Sequence, residues 1–320
     1  MKVYIKRHPH GAGKWIYEGY YNAWQTLGYD VVYYDKLLEI DDADYYLMSL
    51  DGDINASRFS GYQSKQKQTF NFFQSKVDSD RIKVLSNARK AFLFIQPWLF
   101  PEPWGSHENF VTGVSKQNID VINSLDNVVK WTFTDTTRYD FYKEWGANIH
   151  NIHLGFDSIR YKPVKDDEYK FDVCYVGGWA NNGFNEKRKI MIECFKKIKD
   201  AGINAGIFIN QNISVQDEAN LLFNSKVSIN IHDRYQHVLG SDTNERTFKS
   251  LGLNGFLVSD KVDIVNSIFP DLSLAESPDH MVELIKQNLD KDLTEIKEYN
   301  RNLILSEHTY IERVKQLLSL

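Results

Sequence analysis

The sequence has little cysteine, no long apolar run and no marked excess of one charge, and each shortage excludes a class of protein. Its 320 residues include two cysteines, Cys174 and Cys194, so a disulfide framework and a cysteine-rich metal site are excluded. A reducing cytoplasm is the expected compartment. Apolar runs stay far below the roughly 18 residues of a membrane-spanning helix, and the N-terminus predicts a strand rather than a signal peptide.

Charge is spread evenly along the chain. The 38 basic and 43 acidic residues give a net charge of −5 and divide almost equally between the two halves, so neither half is expected to bind nucleic acid. One segment, 58–90, holds eight basic residues against two acidic ones. It is either a solvated helix face or a landing surface for an anionic acceptor, and peripheral contact with a membrane stays open.

Strand and helix patterns alternate throughout, which predicts parallel sheets with helices on both faces. Strands are expected in the first half at Val3–Ile5, Val31–Tyr34, Tyr45–Ser49, Ala91–Ile95 and Val129–Phe133. Helices are expected between them at Trp15–Leu27, Ser64–Lys76, Lys116–Leu125 and Thr137–Trp145. Further strands are expected at Val173–Gly177, Ala205–Ile209, Val227–Ile231 and Phe256–Val258, after a linker at Asp157–Glu168. The length suits two domains of about 150 residues.

The segment Asn244–Asp260 is the most informative part of the chain. It reads as a helix entry, a short helix, a glycine turn and a buried strand, with Thr243 or Asn244 as the expected cap. Arg246 falls in the first helical turn, where its charge adds to the helix dipole and to free backbone N–H groups. The segment therefore predicts a diphosphate site, or else an ordinary connection with Arg246 in a local ion pair.

Other segments of the second half occur in an order known from one family. They are Tyr169–Gly178, which ends on a glycine pair, the helix start at Glu186, the run Leu221–His232 and the terminal His308–Arg313. Together with the Asn244–Asp260 segment they resemble the C-terminal domain of GT-B glycosyltransferases, most closely those of the spore maturation protein CgeB type. The resemblance covers roughly residues 170–315.

The resemblance implies a two-domain α/β fold. Two Rossmann-like domains would face each other across a cleft, with residues 1–160 on the acceptor side and 161–302 binding a nucleotide sugar. The terminal helix, 303–320, would cross back onto the N-terminal domain, with Ser306 or Thr309 as its cap. Its apolar residues form one stripe, and it is too short to be stable alone.

The resemblance also implies a donor site in the second half. Arg188 and Arg246 would bind the diphosphate, Lys187 would be a third cation, and Gly177 and Gly178 would give backbone access. Asn230 and His232 would border the base or sugar pocket, or else His232 is a core-edge histidine. Relatives carry Glu where this chain has Lys249, and Glu245 is one turn away, where it could replace the missing ribose contact. Neither a metal nor a cofactor is expected, because cations and helix dipoles stabilise the leaving diphosphate.

Acceptor-side residues are expected in the first half. Gly11 and Gly13, in the loop after the first strand, would let the backbone approach a ligand and its phosphate. His10 and Asp53 are the candidate bases for an inverting transfer, with His8 and Asp51 as competitors, and all four are also ordinary turn residues. The aromatic, proline-rich loop 96–105 is either an acceptor platform or a self-packed cap.

These observations favour a cytoplasmic glycosyltransferase that moves a sugar from a nucleotide donor to a glycan, lipid-linked or protein acceptor. Two alternatives stay open. A nucleotide-sugar epimerase would share the fold and the diphosphate site. A non-catalytic binding or coat-associated protein would explain why Lys249 stands where relatives have Glu.

Overall fold

The computed structural model describes residues 1–8, 11–50, 79–95, 116–138, 149–178, 186–211 and 213–320. The described chain divides into two compact units. The first comprises Met1–His153 and Arg313–Leu320, and the second comprises Leu154–Glu312. The chain therefore returns to the first unit with its last eight residues.

The first unit is built on a parallel sheet. Its described strands are β1 (Lys2–Lys6), β2 (Asp30–Tyr34), β3 (Tyr46–Leu50), β4 (Lys90–Phe94), β5 (Val128–Thr132) and β6 (Ile149–Asn151), in the order β2-β1-β3-β4-β5-β6. Its described helices are α1 (Gly11–Thr26), α2 (Ser79–Asn87) and α3 (Lys116–Asn123). Trp24, Phe92 and Trp131 are almost fully buried and form part of the core. The strands read from apolar periodicity are found within one residue or so of their expected bounds.

The second unit is built on another parallel sheet. Its strands are β7 (Val173–Gly177), β8 (Ala205–Ile209), β9 (Val227–Asn230), β10 (Leu257–Asp260) and β11 (Ser273–Ala275), in the order β11-β10-β9-β7-β8. Its helices are α4 (Glu186–Asp200), α5 (Val215–Asn224), α6 (Arg234–Leu239), α7 (Glu245–Leu253), α8 (Asp263–Ile268), α9 (Pro278–Leu289) and α10 (Thr294–Glu307). Apolar side chains of β7, β9 and α4 share one buried cluster. Both sheets have the predicted α/β architecture with parallel strands.

The end of the chain differs from the single helix predicted from 303. It forms α10 and a separate helix, α11 (Tyr310–Ser319), with His308 and Thr309 between them. Phe156 pairs with this break, because its N–H donates to the His308 carbonyl and its carbonyl accepts from the Tyr310 N–H. Thr309 caps α11 by accepting from the Glu312 N–H at 3.3 Å. These backbone hydrogen bonds with Phe156 interrupt the helix at His308 and Thr309, so the predicted single helix is divided into two.

Gly255, which follows α7, provides a stability prediction for the second unit. Its φ is +81°, and a Cβ there would collide with the Lys297 carbonyl. We expect Gly255→Ala to lower the free energy of unfolding by about 2–3 kcal/mol, through left-handed strain plus steric overlap. Gly202 is the matched control, since its φ is +71° with nothing within 4 Å of an added Cβ. Urea unfolding that shows equal losses for the two alanine variants would contradict the steric part of the argument.

Candidate functional site

The second sheet has a point at which its strand order reverses. From β7 the chain forms β8 on one side, then crosses to form β9 on the other side of β7. Ligands of open parallel sheets bind at the carboxyl ends of the strands next to such a reversal. Here Gly177 ends β7 and Asn230 ends β9, so the topology directs attention to these two strand ends.

Arg246, in the first turn of α7, extends to this sheet edge. Its Nε donates to the Val176 carbonyl at 2.7 Å, and its Nη1 donates to Asn230 Oδ1 at 2.9 Å. The guanidinium lies 4.8 Å from the centre of the Tyr175 ring, and the residue is 9% exposed. Arg246 is thus a buried cation that donates its hydrogen bonds to uncharged acceptors. Burial lowers the pKa of Arg246, and the nearby charges of Glu245 and Asp233 raise it without a hydrogen bond to the guanidinium.

Two glycines at the end of β7 lie against polar side chains. A Cβ on Gly177 would collide with Arg246 Nη2, and one on Gly178 would collide with Asn210 Oδ1. Glycine at 177 therefore leaves room for the guanidinium beside the strand end. The structure brings Gly177 and Arg246 together, as the sequence-based site requires.

Lys187 is a second buried cation of the site. Its Nζ lies 3.1 Å from an Asp233 carboxylate oxygen, and the residue is 5% exposed. Burial and the charge of Arg246 lower the pKa of Lys187, while Asp233 opposes them. The next residue, Arg188, is exposed on α4. The sequence favoured Arg188 over Lys187 as a phosphate contact. In the structure Lys187 is the buried residue of the two, and it is close enough to Arg246 for the two charges to interact. A phosphate contact by Arg188 stays a prediction.

The N-terminus of α7 carries no side-chain cap, so the predicted capping role of Asn244 is wrong. Asn244 occupies the N-cap position, but its side chain makes no capping bond, and its Oδ1 and Nδ2 are buried without hydrogen-bond partners. Thr243 instead directs its hydroxyl to His232 and Thr247. No side-chain cap therefore occupies the backbone N–H groups of this first turn, where anions bind favourably.

His232 belongs to a buried polar network that sequence reasoning did not foresee. Its backbone N–H and its Nδ1 contact the Asp260 carboxylate at 2.8 and 2.5 Å, and His237 Nε2 contacts the same carboxylate at 2.9 Å. Burial raises the pKa of Asp260, but the two imidazoles outweigh it and hold that pKa well below its usual range. The sequence signal that could have indicated this network is Asp260 itself, an acidic residue at the end of a buried strand.

Lys249, which was expected to differ from the glutamate of the resembled family, contacts two carboxylates. Its Nζ lies 2.6 Å from Glu218 and 3.0 Å from Glu245, and Tyr161 donates its hydroxyl to Glu218 at 2.9 Å. Burial raises the pKa of Glu245, but Lys249 and Arg246 lower it below its usual value. Glu245 thus remains an ionised carboxylate one helical turn from Lys249.

The acceptor-side candidates are only partly described. Gly11 begins α1 with a φ of +62°, and Gly13 lies against the His8 ring. His10, Asp51, Asp53, most of the basic segment and the loop 96–105 lie outside the described residues. Their roles stay predictions.

Neither a metal-binding cluster nor a membrane-spanning helix occurs in the part of the chain that the structure describes. No group of three or more His, Cys, Asp or Glu residues there is arranged to hold a metal ion. Among the same residues, no helix has the length and apolarity to cross a membrane.

Comparisons with known proteins agree with this fold. Residues 165–319 match the family described as glycosyl transferase-like. Among solved structures, a DNA-modifying β-glucosyltransferase is similar over 100% of both chains, with 11% identity and a TM-score of 0.53. The N-terminal domain of Candida albicans trehalose-6-phosphate phosphatase is similar over 99% of this chain and 95% of that one, with 8% identity and a TM-score of 0.51. No curated protein sequence matches.

At such identities the structural likeness establishes the fold. It agrees with the two parallel sheets found here and confirms the GT-B class of α/β fold. The family match lies in the second unit and in the terminal helix, which is the part of the chain that carries the site around Arg246.

Proposed function

We propose that this protein is a glycosyltransferase that uses a nucleoside-diphosphate sugar as donor. One observation carries the proposal: Arg246, a buried cation with uncharged hydrogen-bond partners, lies at the strand ends where the sheet order reverses. A buried charge is costly without a counter-charge. A diphosphate bound here would supply that counter-charge, and the cation would stabilise the same diphosphate as it leaves.

Further parts of the site fit a donor. Lys187 supplies a second positive charge, and the N-terminus of α7 supplies uncapped N–H groups. Glu245 is the proposed acceptor of hydrogen bonds from the ribose hydroxyls, in place of the family Glu that Lys249 replaces. Asn230 and His232 border this site. The CgeB-type subfamily, independence from metal and a cytoplasmic location belong to the same proposal.

The transfer step needs an acceptor and a base. A solved β-glucosyltransferase with the same fold has uridine diphosphoglucose as its substrate, which supports a nucleotide-sugar donor. For an inverting transfer, His10 or Asp53 would take the acceptor proton. The acceptor is a glycan, a lipid-linked sugar or a protein.

A donor panel tests the proposal. The protein is mixed with nucleoside diphosphates and their sugar conjugates, and thermal stability and donor consumption are measured. A donor at 100 times its dissociation constant should stabilise the fold by about 2.7 kcal/mol, and slow hydrolysis should release the free sugar. Stabilisation by no nucleotide would reject the proposal. An isomerised sugar would identify an epimerase, and binding without turnover would identify a non-catalytic protein.

A further inference from the structure

We infer that Asn230, His232 and Asp260 form a hydrogen-bonded relay that positions Arg246 and keeps its charge available to a diphosphate. This inference rests on the proposed function, because it assigns a task to residues behind the proposed donor site. None of the three needs to touch the ligand. They are positioning residues that act through Arg246.

The two ends of the relay have fixed hydrogen-bonding roles. A guanidinium can only donate, so the atom of Asn230 that lies 2.9 Å from Arg246 Nη1 must be the amide oxygen. At the other end, an ionised carboxylate can only accept, and Asp260 receives the His232 backbone N–H at 2.8 Å. The Asn230 amide nitrogen and the His232 ring, which lie between these ends, need hydrogen-bonding roles that are compatible with both.

The relay assigns the groups in the middle so that both ends are satisfied. Because the Asn230 oxygen faces Arg246, its Nδ2 group donates one hydrogen to Thr247 Oγ1, at 3.1 Å, and directs the other to His232 Nε2, at 3.3 Å. Nε2 must therefore carry a lone pair, which places the ring proton on Nδ1, 2.5 Å from Asp260 Oδ1. The Thr243 hydroxyl, 2.8 Å from Nε2, can donate to the same lone pair. The opposite tautomer would set two N–H groups against each other.

The relay explains why a neutral amide rather than a carboxylate contacts Arg246. A carboxylate at 230 would form a buried ion pair with the guanidinium and cancel the charge that a diphosphate needs. The amide holds the guanidinium without neutralising it, and the Val176 carbonyl, at 2.7 Å from Nε, holds it from a second direction. Asp260 fixes the imidazole tautomer, which fixes the amide orientation.

Asn230→Asp tests this inference by an isosteric change. Inorganic pyrophosphate is the probe, since it carries neither base nor sugar, and calorimetry measures its affinity. We expect at least 10-fold weaker binding, which corresponds to about 1.4 kcal/mol, in a variant that remains folded. Wild-type affinity in a folded Asn230→Asp protein would overturn the inference.

A double-mutant cycle shows whether Asn230 acts through Arg246. In an Arg246→Ala background, Asn230→Ala, which adds no charge of its own, should change pyrophosphate affinity by less than about twofold although it weakens binding in the wild-type background, because the guanidinium that the amide holds is gone. An equal loss in both backgrounds would mean that Asn230 acts on the ligand independently of Arg246, and would overturn the relay.

A measurement on the wild-type protein needs no ligand and no variant. Nitrogen NMR of labelled histidine should show His232 with a protonated Nδ1 and an unprotonated Nε2 at pH 7. A proton on Nε2 would overturn the relay. If the tautomer is as expected but neither pyrophosphate nor any nucleotide binds, the proposed function is rejected, and the assignment of a diphosphate to Arg246 falls with it.

Discussion

Arg246→Ala is expected to slow consumption of the sugar donor by about 10²- to 10³-fold, the loss typical of removing one preorganised group that stabilises a leaving anion. Binding of the nucleoside diphosphate should weaken by about 10- to 150-fold, because a charge-assisted contact is worth about 1.5–3 kcal/mol. Both effects follow from a guanidinium that is buried at the strand ends and held by uncharged acceptors. Donor hydrolysis and calorimetry measure them.

Arg301 provides a matched control for this variant. It is a partly buried arginine that donates to the Asn254 carbonyl at 3.2 Å and lies 5.5 Å from the Phe223 ring centre. Arg246 has the same kinds of contact, a backbone carbonyl and an aromatic ring. Asn254, however, follows the opposite end of α7 from Arg246. Arg301→Ala should leave nucleotide affinity within about twofold of the wild type. Unchanged affinity in a folded Arg246→Ala protein would refute the assignment of the diphosphate site.

Local sequence signals were sufficient for much of the second unit. The strands β7 and β8 have the predicted bounds because each is a short apolar run, although only β7 is buried over most of its length and β8 lies at the edge of the sheet. The short strands β6 and β11 were not predicted, since three residues are too few for a periodic pattern to appear. The short helix α6 was missed for the same reason.

The site was predictable only where one residue type implies one chemistry. Arg246 and Gly177 were predicted as donor-site residues because a cation in a first helical turn and a glycine after a strand point to anion binding, and the structure brings the two residues together. The pairing of Lys187 with Asp233 joins positions 46 residues apart, and nothing local distinguishes Lys187 from exposed Arg188. Asp260 was missed because its partners, His232 and His237, are brought to it only when β9 and β10 pair.

Lys249 provides the second large prediction. Its ammonium group lies between the carboxylates of Glu218 and Glu245, and all three residues are largely buried. Removing Lys249 would leave two carboxylates close together without the ammonium group that contacts both of them. We expect Lys249→Met to lower the free energy of unfolding by about 3–5 kcal/mol, measured by urea unfolding at pH 7.

Two further proteins separate this explanation from a simple loss of packing. Lys261→Ala removes a lysine from an exposed pair with Glu276, 2.8 Å away, and should change the free energy of unfolding far less than Lys249→Met does. The triple variant Lys249→Met, Glu218→Gln, Glu245→Gln removes all three charges and should recover most of the lost stability, since buried neutral groups cost less than unpaired ions. A triple variant as unstable as Lys249→Met would show that the lysine stem, not its charge, is what matters.

Placing glutamate at 249, the residue that the resemblance leads one to expect, should destabilise the protein more than removing the lysine. Lys249→Glu would place a third carboxylate beside Glu218 and Glu245, so repulsion adds to the lost attraction, and unfolding should occur at lower urea than in Lys249→Met. The residue at 249 and the acidic residues at 218 and 245 therefore form one electrostatic unit in this chain. If Lys249→Glu were as stable as the wild type and bound nucleotide more tightly, Glu245 would not be the ribose contact, and the site would retain the family geometry at position 249.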